Sequence, residues 1–302
     1  MVAGFKTKPQ SPARQDVFSL TPHSAAPEDF AVFPCTPISE FDDPYAPCLL
    51  VIAGGKRLTF GAPIYQNWRG IGQIDAAFLM YGHPVSSGGV SGLRLETWRN
   101  GRKARLLIIA GDLQAEAIQA LDDLNAGADA LIAIESGDQT GFREAGLRVK
   151  PVPVSARGFK VFDTGDLTVM SYSTINEAGD QVIAYRINYG QASAMVYPCG
   201  AETDIGSVDY LILPTAEKPG LVSRQREQAD KGQLADVQDL HRIGRTCPSV
   251  LEAADMGQAA QAKGVVLLRA DLDQDAALPA SHIWMSDLGS AGMILSEKVS
   301  ER

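Results

Sequence analysis

From Asp29 onward the chain is built of short apolar runs separated by turn-forming residues. DFAVFPCT predicts a strand, and PISEFDDPYAP, with its Pro and Asp residues, a loop. CLLVIAGGKRLTFGAP places two apolar runs on either side of Gly54-Gly55, the pattern of a β-hairpin. IDAAFLMYGH reads as a buried strand that closes on the loop VSSGG, and RLLIIAG as another. AEAIQALDDLNAG carries apolar residues at helical spacing with Gly127 positioned as its C-cap, and ADALIAIES is expected to be a further short strand.

Between Leu147 and Ala201 the text is strand-rich: LRVKPVPV, FKVF, DLTVMSYS, QVIAYRINY and SAMVYPC, joined by hairpin-like turns such as EAGD and NYGQ. VDYLILPT is a strand. Arg224 to Arg245 is polar and helix-compatible, and VLEAADMGQAAQAKG predicts an Ala-rich helix ending at Gly264. GVVLLRAD gives the last central strand, and SHIWMSDLGSAGMILSE a terminal hairpin. Strands outnumber helices and helices flank them, which argues for two sheets sandwiched between helices, with β-rich halves at about 29–135 and 147–300. Residues 1–28 lack periodicity and are expected to form a flexible arm, leaving 29–302 as a single domain.

The 302 residues carry a formal net charge of −9, so nothing in the overall balance attracts a nucleic-acid backbone. No stretch reaches the length of a membrane-spanning helix, and the N-terminus lacks the apolar core of a secretion signal; a cytoplasmic protein is expected. The four cysteines, Cys35, Cys48, Cys199 and Cys247, show no CxxC spacing and read as isolated, small buried side chains. The four histidines are His23, His83, His241 and His282.

Several blocks, in order, resemble the metallo-β-lactamase-fold hydrolases of the ribonuclease Z and phosphodiesterase branch. AVFPCTPISEFDDPYAPCLLVIAGGKRLTFGAP is similar to their opening hairpins, and IDAAFLMYGHPVSSGGVSGL to the block carrying H-x-H-x-D-H. GDLTVMSYSTINEAGDQVIAYRINYGQASAMVYPC resembles the block ending in S-G-D-T, VDYLILPTAEK the strand after it, and VLEAADMGQAAQAKGVVLLRAD the final helix and L-x-L-T-H strand. The resemblance implies a four-layer αββα sandwich of two mixed sheets. It also implies a pair of zinc or similar ions at the edge where the sheets meet, held by imidazole and carboxylate, that activate a bridging water.

The residues required for that chemistry are missing. The H-x-H-x-D-H motif falls on Tyr81-Gly82-His83-Pro84-Val85-Ser86, so only His83 is retained. A later histidine falls near Asn176, the bridging aspartate on Gly200 beside Cys199, the last histidine on Ala270, and the early hairpin's aspartate on Gly61. Serine, glycine and valine do not replace imidazole and carboxylate as ligands.

Each candidate also has a plain structural reading. His83 is either a residual ligand or general base, or a histidine hydrogen-bonded within its loop. Tyr81 either fills the space of the metal or contacts a ligand. Gly88-Gly89 serve a tight turn, Asp112 an N-cap, and Cys199 either packs or is a reactive thiol. Arg94, Arg99, Arg102, Lys103 and Arg105 form a phosphate-facing patch or a solvated surface, and 223–233 a solvated helix face or a lid.

The sequence therefore points to a non-catalytic member of this fold, a scaffold or a ligand- or partner-binding subunit with no cofactor. Tyr81, His83, Ser86, Asn176, Cys199 and Gly200 would line the ancestral site. It implies a homo- or hetero-oligomer, including pairing with an active homologue, and a small nucleotide-like ligand, with no membrane or nucleic-acid partner. The alternative is a phosphodiesterase- or ribonuclease Z-like hydrolase acting on ester bonds, with His83 in a rearranged, mononuclear zinc or manganese site.

Overall fold

The computed structural model describes residues 25–26, 28–35, 47–64, 66–136, 143–176, 179–269, 284–287 and 292–296. The arm expected over 1–28 falls almost wholly outside them. The chain opens with β1 (Phe30–Pro34), β2 (Leu49–Ala53), β3 (Lys56–Phe60) and β4 (Ala76–Phe78), followed by helices α1 (Pro84–Ser87) and α2 (Val90–Arg99). Strand β5 (Leu106–Gly111), helix α3 (Asp112–Ser136) and β6 (Leu147–Val152) come next. Then follow β7 (Ser155–Asp163), β8 (Leu167–Ile175), β9 (Gln181–Tyr189), β10 (Ala192–Val196) and β11 (Tyr210–Thr215). Helices α4 (Lys218–Asp230), α5 (Leu234–Thr246) and α6 (Val250–Ala259) precede β12 (Gly264–Arg269), β13 (Trp284–Asp287) and β14 (Met293–Ser296).

The strands make two seven-stranded sheets, ordered β14-β1-β2-β3-β4-β5-β6 and β13-β12-β11-β10-β9-β8-β7. In the first, β14, β1, β2 and β3 pair antiparallel and β3 to β6 pair parallel. In the second, β7 to β10 pair antiparallel and β10 to β13 parallel. Each sheet is thus mixed in the same way. The halves do not divide where the sequence pattern placed them, because β6 stays with the first sheet and β14 returns to it.

Three apolar layers hold the stack. Alternate residues of both sheets, among them Phe30, Phe60, Phe78, Tyr185 and Ile187, meet between the sheets. Ile108, Ala110 and Leu79 face outward onto Val90 and Leu93 of α2 and Ala115 and Ile118 of α3. Leu211, Leu213 and Val265 pack on Val250 and Ala253 of α6. The result is the expected αββα order. The Phe60 and Phe78 rings stack with centroids 4.7 Å apart, and Tyr185 presents its edge to both. Such pairs add about 0.5–1.5 kcal/mol each beyond the area they bury.

Gly54 and Gly55, at φ 56° and 70°, make the two-residue turn expected between β2 and β3. Three other expectations are corrected. ADALIAIES is not a strand: α3 runs through Gly127 to Ser136, since Ala, Leu and Ile at helical spacing outweigh one glycine. The terminal segment is not a hairpin, because β13 joins β12 in the second sheet and β14 joins β1 in the first. Helix α6 ends at Ala259 rather than at Gly264, whereas the Arg224–Arg245 stretch is helical as expected, in two helices parted at Gly232, which sits at φ 74°.

The cysteines are not isolated. Cys35 bonds to Cys48 and Cys199 to Cys247, and no described cysteine is free. Chain separations of 13 and 48 residues carry no local spacing signal, so only the fold brings the partners together. The basic cluster is corrected too. Arg94 is buried against Asp129 at 2.6 Å, each side chain 4% exposed, and also donates to the Ala145 carbonyl. Arg102 is buried beneath it and donates to the carbonyls of Arg94, Ala104 and Glu144. Burial, then the neighbouring Arg94 charge, lowers the Arg102 pKa to about 10. These two arginines anchor structure; Arg99, Lys103 and Arg105 are the exposed ones. No helix among the described residues is long and apolar enough to cross a membrane.

Candidate functional site

The loops that follow β4, β5, β6 and β10 gather at one edge of the sandwich, tied together by hydrogen bonds between the sheets. Beyond β4, the Leu79 carbonyl accepts from the Tyr185 hydroxyl at 2.8 Å. The Met80 carbonyl accepts from the Ile183 N–H at 2.9 Å, and Tyr81 forms an isolated antiparallel bridge with Val182. Burial pushes the Tyr185 hydroxyl well above its ordinary pKa, so it stays a proton donor across the usual pH range.

Tyr81 is buried and packs in the layer between the sheets, so its ring fills the edge. Its carbonyl accepts from the Gln114 amide at 2.7 Å and the Ser86 hydroxyl at 3.4 Å. His83 caps α1: its backbone is extended, Pro84 occupies the first turn, and Nδ1 accepts from the Val85 N–H at 3.3 Å. The His83 carbonyl accepts from the hydroxyls of Ser86, at 2.8 Å, and Ser87, at 3.1 Å. The turn at Gly88-Gly89 is enforced by packing, since a Cβ on Gly89 would lie 2.1 Å from the Pro63 carbonyl oxygen.

Gln181, which the sequence reading missed, ties the start of α3 and the end of β6 to strand β8. Its Oε1 accepts from the Asp112 N–H at 3.1 Å, and its Nε2 donates to the Val152 carbonyl at 2.9 Å and the Ser173 hydroxyl at 2.7 Å. A polar residue opening the apolar run Val182–Tyr185 was the only signal for it. Asp112 itself is exposed at the start of α3.

Asn176 closes the β8–β9 turn: its Oδ1 accepts from the Asp180 N–H at 2.9 Å. Cys199 is joined to Cys247, and the Gly200 N–H donates to the Thr246 carbonyl at 3.0 Å with Gly200 at φ 73°. Tyr197 donates to the Ala201 carbonyl at 2.6 Å, and burial raises its pKa. The Glu202 N–H reaches Thr174 on β8, which pairs with Val182 and so with Tyr81. Tyr81, His83 and Ser86 therefore share one loop, Cys199 and Gly200 another, and strands β8 and β9 link them. Asn176 belongs to a separate turn. Ala270 lies outside the described residues.

The metal pair that the resemblance implies does not fit this donor set. The Cys199 sulfur is in a disulfide and offers no thiolate, so the reactive-thiol reading falls. Gly200 has no side chain, the His83 Nδ1 lone pair and the Asn176 amide oxygen accept from backbone N–H groups, and the Ser86 hydroxyl donates to carbonyls. Among the described residues no three His, Cys, Asp or Glu side chains lie together as a metal-binding group.

The layer order, the sheet topology and the loops at the sandwich edge define a protein of the metallo-β-lactamase fold. Solved structures agree. The metallo-β-lactamase-fold protein YhfI from Bacillus subtilis superposes with TM-score 0.57 at 15% identity, over 88% of this chain and 99% of that one. The short form of human tRNase Z gives 0.56 at 11% identity, over 88% and 99%. A diphosphatase of the PhnP family gives 0.52 at 15% identity, over 87% and 96%. No protein-family model matches the sequence, and no curated protein matches it.

Proposed function

We propose that this chain is a non-catalytic metallo-β-lactamase-fold protein, a scaffold or a ligand- or partner-binding subunit whose edge loops perform no hydrolysis. Similar structures include a tRNase Z and a diphosphatase, so hydrolysis is the activity to argue against. The observation that carries the reading is the engaged donor set at Tyr81–Ser86 and Cys199–Gly200. The side chains there cap a helix, close the loops or form a disulfide, and the ring of Tyr81 fills the edge. Hydroxide activation needs open lone pairs from imidazole and carboxylate at fixed spacing, and these loops supply one imidazole already turned to its own backbone. Two disulfides persist only where thiols are not kept reduced, so the reading includes an oxidising compartment rather than the cytoplasm.

The test is the metal content of purified full-length protein after incubation with excess zinc and manganese and desalting. The reading expects less than about a tenth of an equivalent, where a formed site retains stoichiometric metal. One or two equivalents, together with turnover of bis(p-nitrophenyl) phosphate that is lost in His83→Ala, would restore the hydrolase.

A further inference from the structure

Helix α3 is built inside out. The face it turns to the first sheet carries, besides Ala115 and Ile118, two buried aspartates: Asp122, which accepts from the Leu147 N–H at 2.8 Å, and Asp129, which pairs with Arg94. The opposite face is apolar and uncovered. Leu113 and Leu124 are each 81% exposed, Leu131 63% and Ile134 62%, and Ala117, Ala120 and Gly127 are exposed between them. A helix that only shields a sheet has the reverse polarity.

The exposed positions are 113, 117, 120, 124, 127, 131 and 134, an unbroken alternation of four- and three-residue steps. That is the seam of a two-helix coiled coil rather than a scatter of surface leucines. Its residues alternate in size as well. If two copies pair antiparallel so that Leu124 meets Gly127, then Ala120 meets Leu131 and Ala117 meets Ile134. Every one of these layers sets a large side chain against a small one. The same surface on both partners, complementary to itself, is what a two-fold axis requires.

We propose that α3 is a self-association helix, its exposed seam pairing antiparallel with the same seam on a second copy of this chain. The area sets the strength. At 1.5 Å per residue the paired span, 117–134, is about 26 Å long and about 10 Å wide, covering about 250 Å² per copy. A standard stable interface takes about 800 Å² from each partner, so the pair is a reversible dimer with a dissociation constant on the order of micromolar. The inference does not rest on the edge-loop reading and stands whether or not those loops turn over substrate.

Sedimentation velocity on the full chain from about 1 to 300 µM tests it across that range. The wild type should move from monomer to dimer. Leu124→Glu and Leu131→Glu, both at exposed positions, should weaken the dimer at least about 30-fold with unchanged circular dichroism. A wild type that stays monomeric throughout overturns the proposal, whether the seam is bare, covered by the chain's own first 24 residues or reserved for a different protein. Variants that dimerise like the wild type also overturn it. Orientation is read by cross-linking: Ala120→Cys mixed with Leu131→Cys should form a mixed disulfide dimer. Ala120→Cys linking only to itself would mean parallel helices and refute the antiparallel seam.

Discussion

Replacing Cys199 and Cys247 together by alanine removes the covalent tie between the segment after β10 and the end of α5, without burying a new hydroxyl. The bond closes a loop of 48 residues. In the chain-entropy description, a loop of that length stabilises the native state by about 4 kcal/mol, through the freedom it denies the unfolded chain. The bond between Cys35 and Cys48, closing 13 residues, contributes about 3 kcal/mol on the same basis. In a domain of this size each kcal/mol moves the melting temperature by about 2–4 °C, so the double variant should melt about 8–16 °C lower. The assay is differential scanning calorimetry with and without reductant, paired with thiol titration in denaturant. Wild type should titrate no free thiols before reduction and four after it. Reduction of the wild type should lower the melting temperature by more than the double substitution does, because it opens both bonds. A double variant that melts within about 1 °C of the wild type would refute the loop-closure reasoning.

Two further predictions concern charge. Asp129→Ala leaves Arg94 buried without its partner and should cost about 3–5 kcal/mol in denaturant unfolding, whereas Arg94→Leu/Asp129→Leu should recover most of that; equal losses in both would refute the pairing argument. Partial burial pushes the Asp209 carboxyl up, but Lys263 at 2.7 Å and the hydroxyl and N–H of Ser193 outweigh it and hold the pKa below the ordinary aspartate value. A depressed carboxyl stabilises the fold above its unfolded pKa and loses that effect as pH falls through its folded pKa. Asp209→Asn should therefore destabilise at pH 7 and flatten the acid limb below about pH 4; a limb that keeps its wild-type slope would refute the assignment.

The frame of the molecule was legible because its signals are local. The alternating apolar residues of β8 to β10, the Gly54-Gly55 turn and the order of the blocks predict a layered α/β sandwich without knowledge of partners. What the sequence left hidden depends on residues distant in the chain. Arg94 and Arg102 read as surface cations because Asp129 and the Glu144 carbonyl that receive them lie well downstream. The cysteines looked solitary for the same reason. At the edge loops the losses were plain in Val85, Ser86 and Gly200, but what replaced the metal was not, since Gln181 and Tyr185 sit on one strand, β9, whose pattern names none of the loop atoms they hold. The seam of α3 was present in the spacing from Leu124 to Ile134, yet the glycine at 127 divided it into a helix and a strand on paper.

The pairing of β14 with β1 also has a consequence for how the protein is made. Among the described strands β1 is the first in chain order and its partner β14 the last, so β14 is made only after the rest of the described strands. Gly292, just before β14, lies so close to Phe33 that a side chain there would overlap its ring, so the returning strand must seat tightly. Until it does, the nascent first sheet presents an open edge to its neighbours, at the stage when strand edges are most prone to mispair. Chains cut short before Met293 should therefore be lost to aggregation during synthesis, even though most of both sheets is already in place.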